Sequence, residues 1–130
     1  GKPTEELEAA FFKEIEQARI KYLGWLNPHE ITKVILVSDL MVFPGTHSVL
    51  WEQAVGAGIP CIFKKWKGIQ HVDIGGNCLF LDEGSEKEIL LALKNVISNP
   101  NKLNKMKEFA FSENRSRFLY SEIAKKSIQN

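Results

Sequence analysis

A turn that leads from an apolar run directly into a helix carries the residues best suited to chemistry. Its members after Pro44 are Gly45, Thr46, His47 and Ser48. Backbone amides at such a helix start, together with the helix dipole, attract phosphate, and the Ser48 hydroxyl could add a donor or simply cap the helix. Glu52 lies one helical turn further on the same face, where a carboxylate can accept from both hydroxyls of a ribose. The pattern is typical of a nucleotide site, although a plain helix cap explains the same residues.

The elements around this turn alternate between strands and helices. Short apolar runs predict strands at residues 19–23, 39–44, 59–63 and 77–81. Helical spacing of apolar residues predicts helices at 4–19, 28–37, 48–57 and 86–97, with further helical stretches at 102–109 and 114–128. Asn27 is expected to cap the second helix, with Pro28 in its first turn and Glu30 reaching back.

Strands that alternate with helices across short loops predict a parallel sheet covered on both sides. The fold class is therefore α/β, an open Rossmann-like sheet in a single domain of residues 1–130, on which helices at about 101–130 pack. About four strands are fewer than a doubly wound sheet has, which suggests a domain truncated at its N-terminus. Ligands of such sheets bind beyond the carboxyl ends of the strands, so the loops after Leu23, Phe43, Phe63 and Leu81 should line one crevice.

Composition limits the classes of function. Seventeen basic and sixteen acidic residues leave a formal charge of +1, so no global field attracts nucleic acid or an anionic membrane. No apolar window has the length that a membrane span needs. Cys61 and Cys78 lie in apolar runs without a secretory cysteine framework, which favours reduced thiols that pack as small hydrophobic groups in a cytoplasmic protein.

Residues 24–84 resemble the donor-binding core of the retaining GT-B glycosyltransferases, the group 1 type that assembles capsular and other surface polysaccharides. Their sequence is GWLNPHEITKVILVSDLMVFPGTHSVLWEQAVGAGIPCIFKKWKGIQHVDIGGNCLFLDEG. It follows the family's order of a glycine-led loop, a strand ending in VFP, a glycine-containing turn, a glutamate-bearing helix, a GIPCI strand and a final NCLFL strand, and residues 121–127 are similar to the closing helix. The resemblance implies the C-terminal half of a GT-B fold, which binds a UDP- or GDP-sugar without a metal or other cofactor.

The resemblance also implies roles for individual residues. The donor diphosphate would lie on Gly45, Thr46, His47 and Ser48, the base on Gly24, Trp25 and Leu26, and the donor sugar or a phosphate on Lys64, Lys65, Gly68, Ile69 and Gln70. The family carries two glutamates around seven residues, and counting back from Gly58 places them at Gly45 and Gln53, neither of which is a glutamate. Helix geometry from Ser48 favours Glu52 as the ribose acceptor. Glu52 and Gln53 both stay candidates, and no catalytic residue is assigned.

Other polar and aromatic residues have two interpretations each. Lys64, Lys65 and Lys67 could replace the arginine and lysine that clamp the diphosphate in this family, or they could be solvated loop residues. The three histidines, His29, His47 and His71, are scattered in the sequence without a cysteine or carboxylate at ligand spacing, so we expect no metal site. The tryptophans Trp25, Trp51 and Trp66 are expected to pack in the core rather than to stack on a base.

The implied partners are a nucleotide-sugar donor and an acceptor glycan or glycolipid. A missing N-terminal domain would bind the acceptor and could place the protein peripherally at the inner face of the membrane, and no nucleic acid is expected. This fragment alone should bind the donor without catalysing transfer. Two alternatives stay open: a nucleotide-sugar epimerase of the same fold, and a non-catalytic α/β module that docks a partner subunit.

Overall fold

The computed structural model describes residues 20–116 and 118 of the chain. The predicted helix at 4–19 and most of the predicted helix at 114–128 lie outside the described residues. The chain divides into two compact units, Gly1–Ile31 and Thr32–Asn130.

The first described helix, α1, is Pro28–Val37 and begins as its sequence predicts. The Asn27 side-chain oxygen accepts from the Glu30 amide at 2.8 Å, and the Asn27 amide donates back to Oε1 of Glu30 at 3.1 Å. These reciprocal bonds satisfy two of the backbone donors that a helix start would otherwise leave without a partner. The cap and the predicted helix at 28–37 are confirmed.

The predicted strand at residues 19–23 is wrong in its described part, since residues 20–23 form no strand. An extended segment needs a neighbouring strand to take its backbone hydrogen bonds. The sheet of the described residues contains only β1, β2 and β3, defined below, and Ile20 and Leu23 are exposed. A short apolar run does not reveal whether such a neighbour exists.

The sheet is formed by three parallel strands in the order β1-β2-β3. The strands are β1 (Met41–Phe43), β2 (Cys61–Lys64) and β3 (Cys78–Leu81). Phe43 pairs in register with Phe63, and Phe63 pairs with Phe80 on the other side. The α/β class and the open parallel sheet are confirmed, with three described strands where four were predicted.

Three further helices complete the described part of the chain. They are α2 (Val49–Gly56), α3 (Glu86–Ile97) and α4 (Pro100–Ala110), with single 3₁₀ turns at Gln70–Val72 and Glu113–Arg115. The predicted helices at 48–57 and 86–97 are confirmed. The helix predicted at 102–109 begins two residues earlier, because Pro100 fits the first turn, where a helix needs no amide donor. None of the helices in the described residues has the length and apolar character to cross a bilayer.

The main core lies between α2 and the sheet. Trp51 and Val55 of α2 pack with Phe63 of β2, and the Trp51 and Phe63 rings stack with their centroids 4.5 Å apart. Because strand side chains alternate in direction, Ile62 points to the opposite face of the sheet from Phe63, and it too is fully buried. Both faces of β2 are therefore covered, which holds the ends of the strands in fixed positions.

Candidate functional site

Three loops follow the carboxyl ends of the strands: residues 44–48 after β1, 65–77 after β2 and 82–85 after β3. We call them the strand-end loops. The first two are joined by the indole of Trp66, whose Nε1 donates to the Gly45 carbonyl oxygen at 2.9 Å. The second loop is joined to the end of β3 by the Lys65 amide, which donates to the Leu81 carbonyl oxygen at 2.7 Å.

The third loop touches the first through a glycine. Gly84 has a φ of +73°, and a Cβ built there would lie 2.6 Å from the Pro44 carbonyl oxygen. A side chain at this position would therefore clash with backbone as well as strain the chain. The strand-end loops meet at one edge of the sheet, as predicted for the loops after Phe43, Phe63 and Leu81. The loop after Leu23 belongs to the first compact unit.

Two histidines of these loops meet one glutamate of α2. Nε2 of His47 lies 2.6 Å from Oε1 of Glu52, and Nε2 of His71 lies 3.0 Å from the same oxygen. His47 stands in the first loop, Glu52 in the first turn of α2, and His71 in the 3₁₀ turn of the second loop. We call these three residues the His-Glu-His cluster.

Glu52 is the centre of this cluster. Partial burial alone would raise the pKa of its carboxyl, but the hydrogen bonds from His71 and His47 outweigh that effect and hold the pKa below 4.5, its ordinary value. Glu52 is therefore a carboxylate at neutral pH. Its Oε1 serves both imidazoles, whereas Oε2 is buried and has no hydrogen-bond partner among the described residues. A buried carboxylate oxygen without a partner is costly, so this atom needs an explanation.

Aromatic side chains surround the cluster. The His47 ring meets the Trp51 ring edge-on with centroids 5.2 Å apart, and the His71 ring stacks on Phe118 at 6.3 Å. Trp51 and Phe118 belong to the buried core. The two imidazoles are thus fixed on one side by apolar packing and on the other by Glu52, while their side chains stay 37% and 45% exposed.

The start of α2 is less open than the sequence predicts. Oγ of Ser48 accepts from the Leu50 amide at 3.3 Å, and the Ser48 carbonyl oxygen accepts from the Trp51 amide at 3.0 Å. Ser48 therefore caps the helix, and the expectation of free amides is wrong for Leu50 and Trp51. The neighbouring residues of the turn, Gly45 and Thr46, are exposed.

The three tryptophans differ in how far they are buried. Trp51 is 1% exposed and lies in the core as predicted, and Trp66 is half-buried against that core. Trp25 is 83% exposed, so its predicted core position is wrong. A single aromatic beside a glycine contains no periodic signal that distinguishes a core position from a surface one. Gly24 and Leu26, its partners in the predicted base loop, are exposed and half-buried respectively.

The lysines at the end of β2 and in the loop after it have different surroundings. Nζ of Lys64 lies 3.4 Å from the centre of the Trp66 ring, a cation–π contact. Lys65 and Lys67 are exposed, which agrees with solvated loop residues and leaves their charges available to an anion. Among the residues predicted for the donor sugar, Ile69 packs against the core, and Gly68 and Gln70 are exposed.

The His-Glu-His cluster was not predicted from the sequence, because spacing along the chain does not bring its three residues together. His71 is 19 residues from Glu52, a distance at which no ligand spacing is visible. The predicted order of strands and helices does contain a signal for this cluster. His47 and His71 follow adjacent parallel strands, whose carboxyl ends share one edge, and Glu52 lies in the first turn of the helix after the first of these strands. The ligand atoms of the three residues all lie within 4.8 Å of one another.

No protein-family model, no curated protein and no solved structure matches this chain. An interpretation of its function therefore depends on the residues of the site.

Proposed function

We propose that the chain is the donor-binding domain of a GT-B glycosyltransferase and holds a nucleoside diphosphate sugar at the carboxyl edge of its sheet. The observation that supports this most is the His-Glu-His cluster, because it concentrates ionisable side chains where open parallel sheets bind ligands. The resemblance of residues 24–84 to that family supplies the substrate class.

The two histidines are the candidates for contact with the diphosphate. Their Nε2 atoms face Glu52, so Nδ1 of each ring is a second hydrogen-bonding position. The exposed side chains of Lys65 and Lys67 in the second strand-end loop add positive charge to the same edge. Donors placed in advance around a diphosphate stabilise it as a leaving group.

Glu52 is assigned to orienting the histidines rather than to the ribose. Its Oε1 already accepts from two imidazoles, and its Oε2 is out of contact with solvent. A ribose hydroxyl would have to displace one of these bonds. We therefore assign the ribose contact to Gln53, the next residue of α2, which is half-buried.

In the proposed reaction the bond between the sugar's anomeric carbon and the diphosphate oxygen breaks, and the acceptor hydroxyl forms a new bond to that carbon. The diphosphate leaves with the electron pair of the broken bond and takes up the proton that the hydroxyl loses. The strand-end loops would bind the departing diphosphate. A separate domain would bind the acceptor, as the resemblance implies.

Calorimetric titration of the chain with UDP, GDP, UDP-glucose and GDP-mannose tests the proposal, in buffer containing a chelator so that only protein groups contribute. We expect binding of one nucleotide series, weakened at least about tenfold by His47→Ala, His71→Ala and Gln53→Ala, since tenfold corresponds to about 1.4 kcal/mol. His29→Ala is the matched control and should leave affinity unchanged. Absence of binding to all four compounds would reject the donor-binding proposal and favour the interaction-module alternative.

A further inference from the structure

We propose that His47, Glu52 and His71 form a binding site for a divalent transition-metal ion, with Zn²⁺ as the expected occupant. This goes beyond the proposed function, which uses the same side chains without a metal. It also reverses the expectation, drawn from sequence spacing, that these histidines form no metal site.

The ligand types and their spacing support a metal ion of this class. Imidazole nitrogen and carboxylate oxygen are common Zn²⁺ ligands, and a tetrahedral site with bonds of about 2.0–2.1 Å holds its ligand atoms roughly 3.3 Å apart. The two histidine nitrogens lie 2.6 and 3.0 Å from Oε1 of Glu52. Small rotations of these side chains would bring all three atoms around one centre.

The ligands come from rigid supports. Glu52 belongs to α2, and His71 belongs to a 3₁₀ turn that contacts α2. The turn with His47 is tied down by the bond from Trp66 to Gly45. Metal ligands require such support, because the surrounding shell fixes the direction of each ring.

The buried Oε2 of Glu52 is a second and independent observation. It has no hydrogen-bond partner among the described residues, although the two imidazoles both contact the other oxygen of the same carboxylate. A cation bound beside this carboxylate would give the buried Oε2 atom a partner. A purely structural hydrogen-bond cluster gives no comparable reason for the burial of that atom.

The site would be of the open kind. Both histidine side chains are more than a third exposed, so a metal held by three protein ligands would keep a position for water. Zinc sites that take part in reactions have this composition, whereas structural ones are closed by four protein ligands.

The test is a titration of the chelator-treated chain with Zn²⁺ in the absence of any nucleotide. We expect a single equivalent to bind, and Co²⁺ to give the visible absorption of a four-coordinate site. His47→Ala, His71→Ala and Glu52→Gln should each weaken Zn²⁺ binding at least about tenfold, with circular dichroism confirming the fold. His29→Ala, which removes a histidine outside the cluster, should bind as the unaltered chain does.

A measurement on the unaltered chain covers the case in which a variant fails to fold. Imidazole ¹⁵N resonances of His47 and His71 should shift on addition of Zn²⁺, while those of His29 stay unchanged. The proposal is overturned if no equivalent of Zn²⁺ binds, or if it binds without affecting these two imidazoles. Because no nucleotide is present, neither outcome depends on whether the chain binds a nucleotide sugar.

Discussion

At the scale of single residues, Trp51 is central to the core. It is 1% exposed, and its ring lies 4.5 Å from Phe63 and 6.0 Å from Phe43 between centroids. Trp51→Ala should lower the free energy of unfolding by about 3–5 kcal/mol, because it removes this burial and leaves a cavity. Urea unfolding measures the change. Trp25→Ala, at an 83% exposed position, is the control and should stay within about 0.5 kcal/mol of the unaltered chain.

The two thiols should react only slowly. Burial, reinforced by the neighbouring Cys78, raises the pKa of the Cys61 thiol, and burial together with Asp73 raises that of Cys78 to about 12. At pH 8 only about one Cys78 in ten thousand would be the reactive thiolate. We expect Ellman's reagent to modify both cysteines of the folded chain far more slowly than those of the urea-unfolded chain. Equal rates would show that the strands open freely.

The environment of a residue was predictable from the sequence where its neighbours in the chain determine that environment. Trp51 is part of a helical apolar pattern, and its burial was predictable. The partners of Glu52 were not, because one of them, His71, is contributed by the loop after the next strand. The exposure of Trp25 was missed because the residue stands outside any periodic pattern.

At the scale of elements, Asn77 holds the loop before β3 in shape. Its side chain is fully buried, accepts from the Ile74 amide at 2.9 Å and donates to the Val72 carbonyl oxygen at 3.1 Å. Asn77→Ala should lower the free energy of unfolding by roughly 2–4 kcal/mol, because both backbone groups lose their partner. Thermal unfolding against the exposed Asn104→Ala control measures this. Equal stability of the two variants would mean that water replaces the amide.

The start of α3 gives a pH-dependent prediction. Hydrogen bonds from the amides of Glu83 and Asp82, with smaller contributions from Ser85 and Gly84, lower the pKa of Glu88 below 4.5. A depressed folded-state pKa contributes stability above the unfolded pKa, and that contribution is lost as pH falls through the folded value. Glu88→Gln should therefore lower the urea midpoint at pH 7, and the effect should become smaller as the pH falls from 4.5 to 3.

Glu86→Gln is the control for this effect, since Glu86 lies in the same first turn. A deficit of the Glu88 variant that persists unchanged at pH 3 would assign its effect to packing instead of charge.

Helix starts were the most predictable features of the fold, because the residues that cap a helix are close to it in the sequence. The bonds between Asn27 and Glu30, and the cap at Ser48, follow from side chains within a few residues. The failed strand at residues 19–23 required knowledge of a pairing partner, which a local pattern does not contain. The order of parallel strands is enough to predict that the strand-end loops meet at one edge of the sheet. It is not enough to predict which side chains of those loops contact each other.

At the scale of the molecule, β2 is the central strand of the described sheet and has both neighbours paired. Three of its residues, Cys61, Ile62 and Phe63, have no exposed surface. Backbone amides of β2 should exchange hydrogen more slowly than those of β1 or β3, because they open only when the sheet does. Native-state exchange followed by mass spectrometry tests this, and faster exchange in β2 would contradict the order of the sheet.

Glu52 and His71 are 19 residues apart in the sequence. The His-Glu-His cluster therefore forms when the chain folds and is lost when it unfolds. The two side chains meet only after the segment following β2 has folded back, so a ligand that requires both has no equivalent place on the unfolded chain. By mass action, such a ligand at a hundred times its dissociation constant adds about 2.7 kcal/mol to stability. A rise in melting temperature with ligand concentration that is lost in Glu52→Gln would therefore reveal what the cluster binds, even for a compound whose chemistry was not anticipated.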